Sequence, residues 1–330
     1  MRTMKTLVIQ GAEKAEVAEV PIPEPGPGQV LVKVTAVTTC PQWDLHIYYG
    51  KPMFATDKEV PFPYTAGQPG HEMTGVVHRT GPGVGLQVGQ TVSAWKDQGH
   101  NRPGCYAEYV IIDEHHLLPV PDGIPYRKVA SLELAMCVAA SVMQMKRMVG
   151  IAGKRCGVNG LGPAGLIALQ MLRAEGASEV IGVDPNESRR QLAVRLGARH
   201  ALHPQEDSES ELLPRRRKAN AANTLDLAID CVGYPESVRF IMDRTHEAVA
   251  LFAVQRDEYA LFHQGLSVLG YPGHSREAAE YALQLIVDGK LDLSPLVSKE
   301  LTLEQYGEGV RLLAAQQAIK IAFVFDDESR

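Results

Sequence analysis

The chain has 330 residues, a formal net charge of −6, 45% hydrophobic residues and 22% charged residues. Neutralising nucleic-acid phosphates requires a clustered positive surface, so this balance excludes nucleic acid as a partner, and the short apolar runs exclude a membrane role. The length favours two domains, and five cysteines, odd in number and never closely paired, exclude a disulfide framework and a four-cysteine metal site.

The first part of the chain has the pattern of short β-strands. The opening stretch "MRTMKTLVIQGAEKAEV" has only a few apolar residues in a row and no small-residue cleavage site, so we expect no signal peptide and a cytoplasmic protein. Gln29 to Val37 alternates as a strand after the turn-rich "PIPEPGPG", and "TGVVHRTGPGVGLQVGQTVSAW" and "CYAEYVIID" continue the pattern. We predict an all-β, barrel-like region.

The pattern changes after "PDGIPYRKVASLELAMCVAASVMQM", which is helical. The stretch "KRCGVNGLGPAGLIALQMLRAEGASEVIGVD" predicts a strand, a glycine turn, an amphipathic helix and a second strand, which together form a βαβ unit. The later apolar segments "LDLAIDCVG", "AVALFAV" and "LSVLGY" predict further strands, followed by two amphipathic helices and a last strand, "KIAFVFDD". The fold class is therefore α/β, with a parallel sheet in the second part.

Three glycines in "NGLGPAG" predict a dinucleotide site. Gly160 allows a tight turn, Gly162 allows the backbone to approach a pyrophosphate, and Gly165 allows the helix to pack on the strand. Asp184 follows at the end of the next strand, where a carboxylate accepts hydrogen bonds from a ribose and disfavours an extra phosphate, so NAD is preferred; the nearby Arg189 leaves NADP possible. The predicted cofactor-binding residues are Gly160, Gly162, Pro163, Ala164, Gly165, Asp184, Arg189 and Val232.

Four residues spread over three segments predict a zinc site. Cys40 lies in "TTCPQWDLH", His71 and Glu72 lie in "GHEMTG", and Glu133 lies in "SLELA". A thiolate, an imidazole and a carboxylate suit a zinc ion that keeps one position open. Each residue alone has an ordinary alternative, since single cysteines are often buried hydrophobes and glutamates in helices are usually solvated.

In combination these motifs resemble the zinc-dependent medium-chain dehydrogenases, the superfamily of alcohol, sorbitol and threonine dehydrogenases. The resemblance also includes "VGQTV", "GCYAEYV", "AIDCVG" and "GKLDLSPLVS", in the family's order. It implies a GroES-like β-rich catalytic domain, residues 1–134 and 272–330, and an inserted doubly wound Rossmann domain, residues 135–271. It implies zinc ligands at Cys40, His71 and Glu133, with Glu72 beside the metal and able to enter or leave its coordination.

Two departures from the family pattern are visible. The lobe that commonly holds a structural zinc is cut to "KDQGHNRPGCYAEYV", where Cys105 alone cannot build the site, so we predict one catalytic zinc and no structural zinc. The family usually has a Ser or Thr just before the aspartate to relay the substrate proton, whereas Gln42 and Trp43 precede Asp44 here. We expect Asp44 to orient His71 and His46 to pass a proton to solvent.

The leading hypothesis is a zinc-dependent oxidoreductase that transfers a hydride between a secondary alcohol or polyol and NAD. The catalytic residues would be Cys40, His71, Glu72, His46 and Asp44, and Glu133 favours a polyol by resemblance to sorbitol-type members. Two alternatives remain: a metal-free NADPH-dependent quinone or enoyl reductase, and a catalytically idle nucleotide-binding protein. We expect a small-molecule alcohol or carbonyl substrate and a homodimer or homotetramer.

Overall fold

The computed structural model describes residues 2–53, 59–208, 210–216, 223–258 and 260–325. The strands are β1 (Thr3–Gly11), β2 (Lys14–Pro21), β3 (Gln29–Thr38), β4 (Glu72–Thr80), β5 (Thr91–Ala94), β6 (Tyr109–Asp113), β7 (Leu117–Pro119), β8 (Arg155–Asn159), β9 (Glu179–Val183), β10 (His200–Leu202), β11 (Leu225–Asp230), β12 (Thr245–Leu251), β13 (Ser267–Gly270), β14 (Val297–Leu301) and β15 (Lys320–Val324). The α-helices are α1 (Pro41–Tyr48), α2 (Leu132–Val149), α3 (Pro163–Ala174), α4 (Glu187–Arg195), α5 (Pro235–Met242), α6 (Arg276–Val287) and α7 (Tyr306–Ala314).

The chain divides into two compact units, one of Met1–Leu134 with Leu293–Arg330 and one of Ala135–Asp292. The sequence analysis expects the chain to re-enter the first domain at residue 272, whereas in the structure the first unit resumes at Leu293. The boundary lies later because helix α6 is bound to the second unit, where the hydroxyl of Tyr281 donates to Glu175 at 2.6 Å. The segment 272–292 therefore belongs with the second unit.

The first unit is built on a mostly antiparallel sheet in the order β14-β15-β3-β4-β5-β7, with β6 also paired to β3. Strand β3 is central, and its apolar side chains, such as Val32 and Val34, are buried in a core that also contains Met73, Tyr106 and Phe323. The β1–β2 hairpin forms a separate two-stranded ribbon. This arrangement places the C-terminal strand β15 directly beside the end of β3.

The second unit contains a parallel sheet in the order β10-β9-β8-β11-β12-β13. This is the strand order of a doubly wound dinucleotide-binding fold, in which the order reverses at the first strand, here β8. The strands are apolar because helices cover both faces of such a sheet. The predicted fold class, a β-rich domain plus a parallel-sheet domain, is confirmed.

One segment is more apolar than the sequence analysis allowed. Tyr126–Val149, which includes α2, is long and apolar enough to cross a membrane by length and composition, and 72% of its apolar window is buried inside the protein. Burial of this kind is expected for a core helix, because such helices are apolar on nearly all sides.

Candidate active site

The four candidate ligands converge in the first unit. Strands β3 and β4 are antiparallel with Thr38 opposite Glu72, so the chain leaving β3 carries Cys40 to the side of His71. The ligand atoms of Cys40, His71 and Glu72 all lie within 4.8 Å of one another. Glu133, in the first turn of α2, brings its Oε2 to 3.7 Å from His71 Nε2.

A backbone carbonyl orients the imidazole of His71. Its Nδ1 lies 2.8 Å from the carbonyl oxygen of Pro69, and since a carbonyl only accepts, Nδ1 carries a proton and donates it. Burial lowers the pKa of His71, but the hydrogen bond with Cys40 and the charges of Glu133 and Glu72 outweigh it and hold this pKa well above its usual range. Nε2 therefore faces Glu133, ready for either a proton or a metal ion.

These donors fit a zinc ion. Tetrahedral zinc holds its nitrogen, sulfur and oxygen ligand atoms about 3.2–3.8 Å apart, and the 3.7 Å between His71 Nε2 and Glu133 Oε2 falls in that range. A proton on Nε2 competes with the metal, so we expect zinc affinity to fall as the pH is lowered.

Glu72 is held by a lysine that the sequence analysis did not identify. Lys320 Nζ donates to both carboxylate oxygens, at 2.6 and 2.7 Å, and to the carbonyl of Thr39 at 2.5 Å, and both charged side chains are fully buried. Burial raises the pKa of Glu72, and the charge of Lys320 opposes this. Lys320 therefore fixes the position of the Glu72 carboxylate beside the site. In the sequence, Lys320 differed from its neighbours only as a charged residue at the start of an otherwise apolar strand, "KIAFV".

Asp44 lies in a different environment from the one predicted. The sequence analysis expects it to orient His71, but that function belongs to Pro69, and the Oδ1 atom of Asp44 accepts from the hydroxyls of Tyr106 at 2.7 Å and Tyr306 at 2.8 Å. Burial raises the pKa of Asp44 to about 6, although both tyrosines act in the opposite direction. Asp44 thus links α1 to α7 beneath the site.

His46 and Cys105 are placed differently from the ligands. His46 is half-buried near the end of α1, and its Nδ1 donates to the carbonyl of Pro52 at 2.8 Å. Cys105 is a buried thiol, and burial raises its pKa to about 12.

An aromatic pair lies beside the ligands. Trp43, in the first turn of α1, has its ring 4.1 Å from the ring of His100, and the Tyr64 hydroxyl lies 2.9 Å from His100 Nδ1. All three side chains are half-buried. The sequence analysis left Trp43 open between packing and a substrate wall, and it did not identify His100 at all.

The glycine loop of the second unit has a distinct steric reason for each glycine. Gly160 has φ +85, and a Cβ there would lie 2.6 Å from a Val232 methyl group. A Cβ on Gly165 would lie 1.8 Å from the carbonyl oxygen of Gly160. Gly162, which caps α3, has nothing within 4 Å of such a Cβ. The first and third glycines serve the fold, and the space beside the second is open to a ligand.

Asp184 is buried at the end of β9 and closes this loop. Its Oδ2 accepts from Leu161 N at 2.8 Å and its Oδ1 from Asn186 N at 2.7 Å. Arg189 Nη1 lies 3.9 Å from Oδ2. Each carboxylate oxygen can accept a further hydrogen bond, so the group stays able to bind ribose hydroxyls.

Two protein families match the chain. The alcohol dehydrogenase GroES-like domain matches residues 26–122, and the zinc-binding dehydrogenase family matches residues 163–288. The chain is similar to the L-threonine 3-dehydrogenase of Pyrococcus furiosus, with 29% identity over 346 residues that cover 94% of this chain and 95% of that protein. The likeness therefore extends over both units.

Solved structures show the same fold. The 2R,3R-butanediol dehydrogenase of Bacillus subtilis has a TM-score of 0.80 at 24% identity, with 98% of this chain and 100% of that chain covered. A Sinorhizobium meliloti protein bound to NADP has a TM-score of 0.82 at 22% identity, with the same coverage. At these identities the solved structures establish the fold of this chain. Its chemistry has to be inferred from the residues of the site.

Proposed function

Because the chain belongs to the zinc-binding dehydrogenases of the medium-chain dehydrogenase superfamily, we propose that it is a zinc-dependent, NAD-linked oxidoreductase that interconverts an alcohol and a carbonyl compound. The observation that carries this proposal is the meeting of Cys40, His71 and Glu72, whose ligand atoms lie within 4.8 Å of one another, with Glu133 Oε2 3.7 Å from His71 Nε2. The glycine loop of the same chain would bind the dinucleotide that accepts the hydride in this reaction.

The side chains around the site have separable functions. Cys40, His71 and Glu133 would hold the metal, with Pro69 fixing the histidine tautomer. Zinc bound there supplies Lewis acidity towards a substrate oxygen, and the dinucleotide supplies the hydride acceptor. Lys320 neutralises Glu72, which limits the negative charge that the buried cluster carries.

Substrate and cofactor preferences follow from the same residues. Glu133 favours a polyol or diol, by resemblance to sorbitol-type members, and the named relatives act on a hydroxy amino acid and on a diol. The carboxylate of Asp184 favours NAD, because it disfavours a phosphate on the adenosine ribose. NADP remains the second option, with Arg189 available to meet that phosphate.

We also propose that the protein assembles as a homodimer or homotetramer. Strand β13 is the last strand of the parallel sheet and pairs with β12 on one side. Large apolar side chains near it in sequence, Phe262 and Tyr271, are exposed. An edge strand with apolar flanks is suited to pairing across a two-fold axis. Light scattering of the purified protein measures the assembly directly.

Metal analysis and turnover of Cys40→Ala test the function. We expect one zinc per chain in the wild type, and loss of bound zinc in the variant, with a decrease in kcat/KM of about 10³- to 10⁴-fold, because the metal contributes several kcal/mol to the transition state. Cys156→Ala, at a core cysteine of β8, is the matched control and retains its zinc. A zinc-free wild type, or a Cys40→Ala variant that oxidises alcohols normally, contradicts the proposal.

A further inference from the structure

The segment 97–104, which remains where the family often has a zinc lobe, is held by hydrogen bonds. Gln68 Nε2 donates to the carbonyls of Gly99 at 3.2 Å and Arg102 at 2.8 Å. The Arg102 guanidinium binds both oxygens of Asp113, at 2.9 and 3.3 Å. These hydrogen bonds hold Gly99 and Arg102, on either side of His100, and so fix the position of His100 without a bound metal ion.

His100 contacts residues on the side of the site where α1 begins. Its ring lies 4.1 Å from that of Trp43, three residues after Cys40, and its Nδ1 is 2.9 Å from the Tyr64 hydroxyl. Burial lowers the pKa of His100, the charge of His71 lowers it further, and that of Asp97 opposes both. His100 is therefore a neutral imidazole at physiological pH, within electrostatic range of a metal ligand.

Several titratable side chains around the cluster already have hydrogen-bonding partners. His71 Nδ1 binds a carbonyl, Glu72 is paired with Lys320, and Asp44 accepts from two tyrosines. Gln42 and Trp43, between Cys40 and Asp44, carry no hydroxyl that could move a proton. A neutral imidazole on this side of the site is suited to that task, because its unprotonated ring nitrogen can accept a proton.

We propose that His100 is the group that accepts the proton of the substrate hydroxyl, with Tyr64 next on the path to solvent. This inference rests on the proposed function. In alcohol oxidation the carbinol C–H bond breaks and its electron pair passes, as hydride, to the oxidised nicotinamide dinucleotide. The O–H bond also breaks, its electrons form the carbonyl, and the proton binds His100 Nε2. Nδ1 then passes its own proton to Tyr64, whose hydroxyl releases one outward.

The variants His100→Gln and Tyr64→Phe test this assignment. We expect kcat for alcohol oxidation to fall about 100-fold at pH 7 in His100→Gln, because general-base catalysis is worth about 10²- to 10⁴-fold. The deficit should shrink as the pH rises and hydroxide replaces the lost base, and KM should change little. Tyr64→Phe should lower kcat about tenfold. His78→Gln, at a histidine of the same unit whose ring contacts Tyr109, is the matched control.

A measurement without turnover checks the geometry. Long-range ¹H–¹⁵N spectra of the histidine rings, recorded with and without zinc, report the tautomer and pKa of His100. We expect the neutral ring to carry its proton on Nδ1 and its pKa to fall further when zinc binds near His71, because a divalent cation opposes a second positive charge. A proton on Nε2, or a pKa indifferent to zinc, overturns the proposal.

The two sets of data separate the possible failures. A His100→Gln variant with wild-type kcat and pH profile overturns the proton-acceptor assignment while the dehydrogenase function stands. A wild type that binds zinc and oxidises no alcohol overturns the proposed function and the assignment with it, even if the zinc-dependent shift of His100 is present.

Discussion

The ligand cluster of the first unit and the glycine loop of the second both prepare the chain for charged ligands, but they do so with different groups. The cluster buries ionisable side chains, among them His71, Glu72, Glu133 and Lys320, from segments almost 250 residues apart. The loop instead offers backbone N–H groups and the end of a helix, and all its glycines lie within six consecutive residues.

The difference determines what each site is sensitive to. Buried charges are costly unless they are paired, so the stability of the cluster depends on pH, on its partners and on any metal ion that it binds. A backbone site carries partial charges that no pH change removes, so its weakness is steric: a single methyl group in the wrong place blocks it. Substitutions at Lys320, at Asp44 and in the glycine loop separate these behaviours.

Lys320→Met should have the largest effect on stability. It leaves the fully buried carboxylate of Glu72 without its cation, and breaking a buried pair costs about 4 kcal/mol. The urea midpoint of the metal-free protein measures this loss. The affinity of the glycine loop for NADH, followed by fluorescence, should stay unchanged, because that loop does not depend on the ion pair.

Two companion variants make the test specific. Lys320→Met combined with Glu72→Gln should recover most of the stability, because no charge is then left buried alone. Lys299→Met removes an exposed lysine of β14 that pairs with Glu308, and an exposed pair contributes less than about 1 kcal/mol. If Lys320→Met is as mild as Lys299→Met, the contrast between the two sites is wrong.

Asp44→Asn should remove a pH-dependent contribution of about 3 kcal/mol to the free energy of unfolding. Burial raises the folded-state pKa of Asp44 from 3.8 to about 6, so between these values the folded protein retains a proton that the unfolded chain has released. The contribution of Asp44 is therefore greatest below about pH 4 and is lost as the pH rises to 6, at about 1.4 kcal/mol per pH unit.

The asparagine does not titrate, so the stability of the variant relative to wild type should rise between pH 4 and pH 6.5. Urea unfolding of the chelated proteins at several pH values measures the difference. Asp122→Asn, at an exposed aspartate of the same unit, is the control for the loss of one carboxylate. If Asp44→Asn differs from the wild type by the same amount at every pH, burial does not raise the pKa of this carboxyl group.

The fold was predictable where its signals are local. The βαβ unit around the glycine loop and the strands β3 and β4 were predicted close to their observed bounds, because apolar periodicity and glycine turns act over a few residues. The β1–β2 hairpin was missed although "TMKTLVIQG" alternates, since that stretch was considered only as a leader. Helix α1 was missed because it is only eight residues long.

The site was predictable only in part. The ligand candidates followed from a family resemblance, whereas Lys320, Tyr306 and His100 did not, because they reach the site through pairings between distant segments. Ala322 lies opposite Thr38 only because β15 adds to the sheet beside β3, and no local pattern encodes that register. Charges buried by long-range contacts are therefore what sequence patterns report least well.

Gly162→Ala and Gly165→Ala sharpen the steric side of the comparison. Gly162 has open space where an alanine Cβ would lie and an ordinary negative φ of −70, so alanine should leave the thermal midpoint unchanged and lower NADH affinity about tenfold, by obstructing the pyrophosphate. At Gly165 the Cβ would collide with the Gly160 carbonyl at 1.8 Å, so the fold itself should lose stability. Zinc content should stay at the wild-type level in Gly162→Ala. If Gly162→Ala binds NADH as tightly as the wild type, the space beside this glycine is not where the dinucleotide lies.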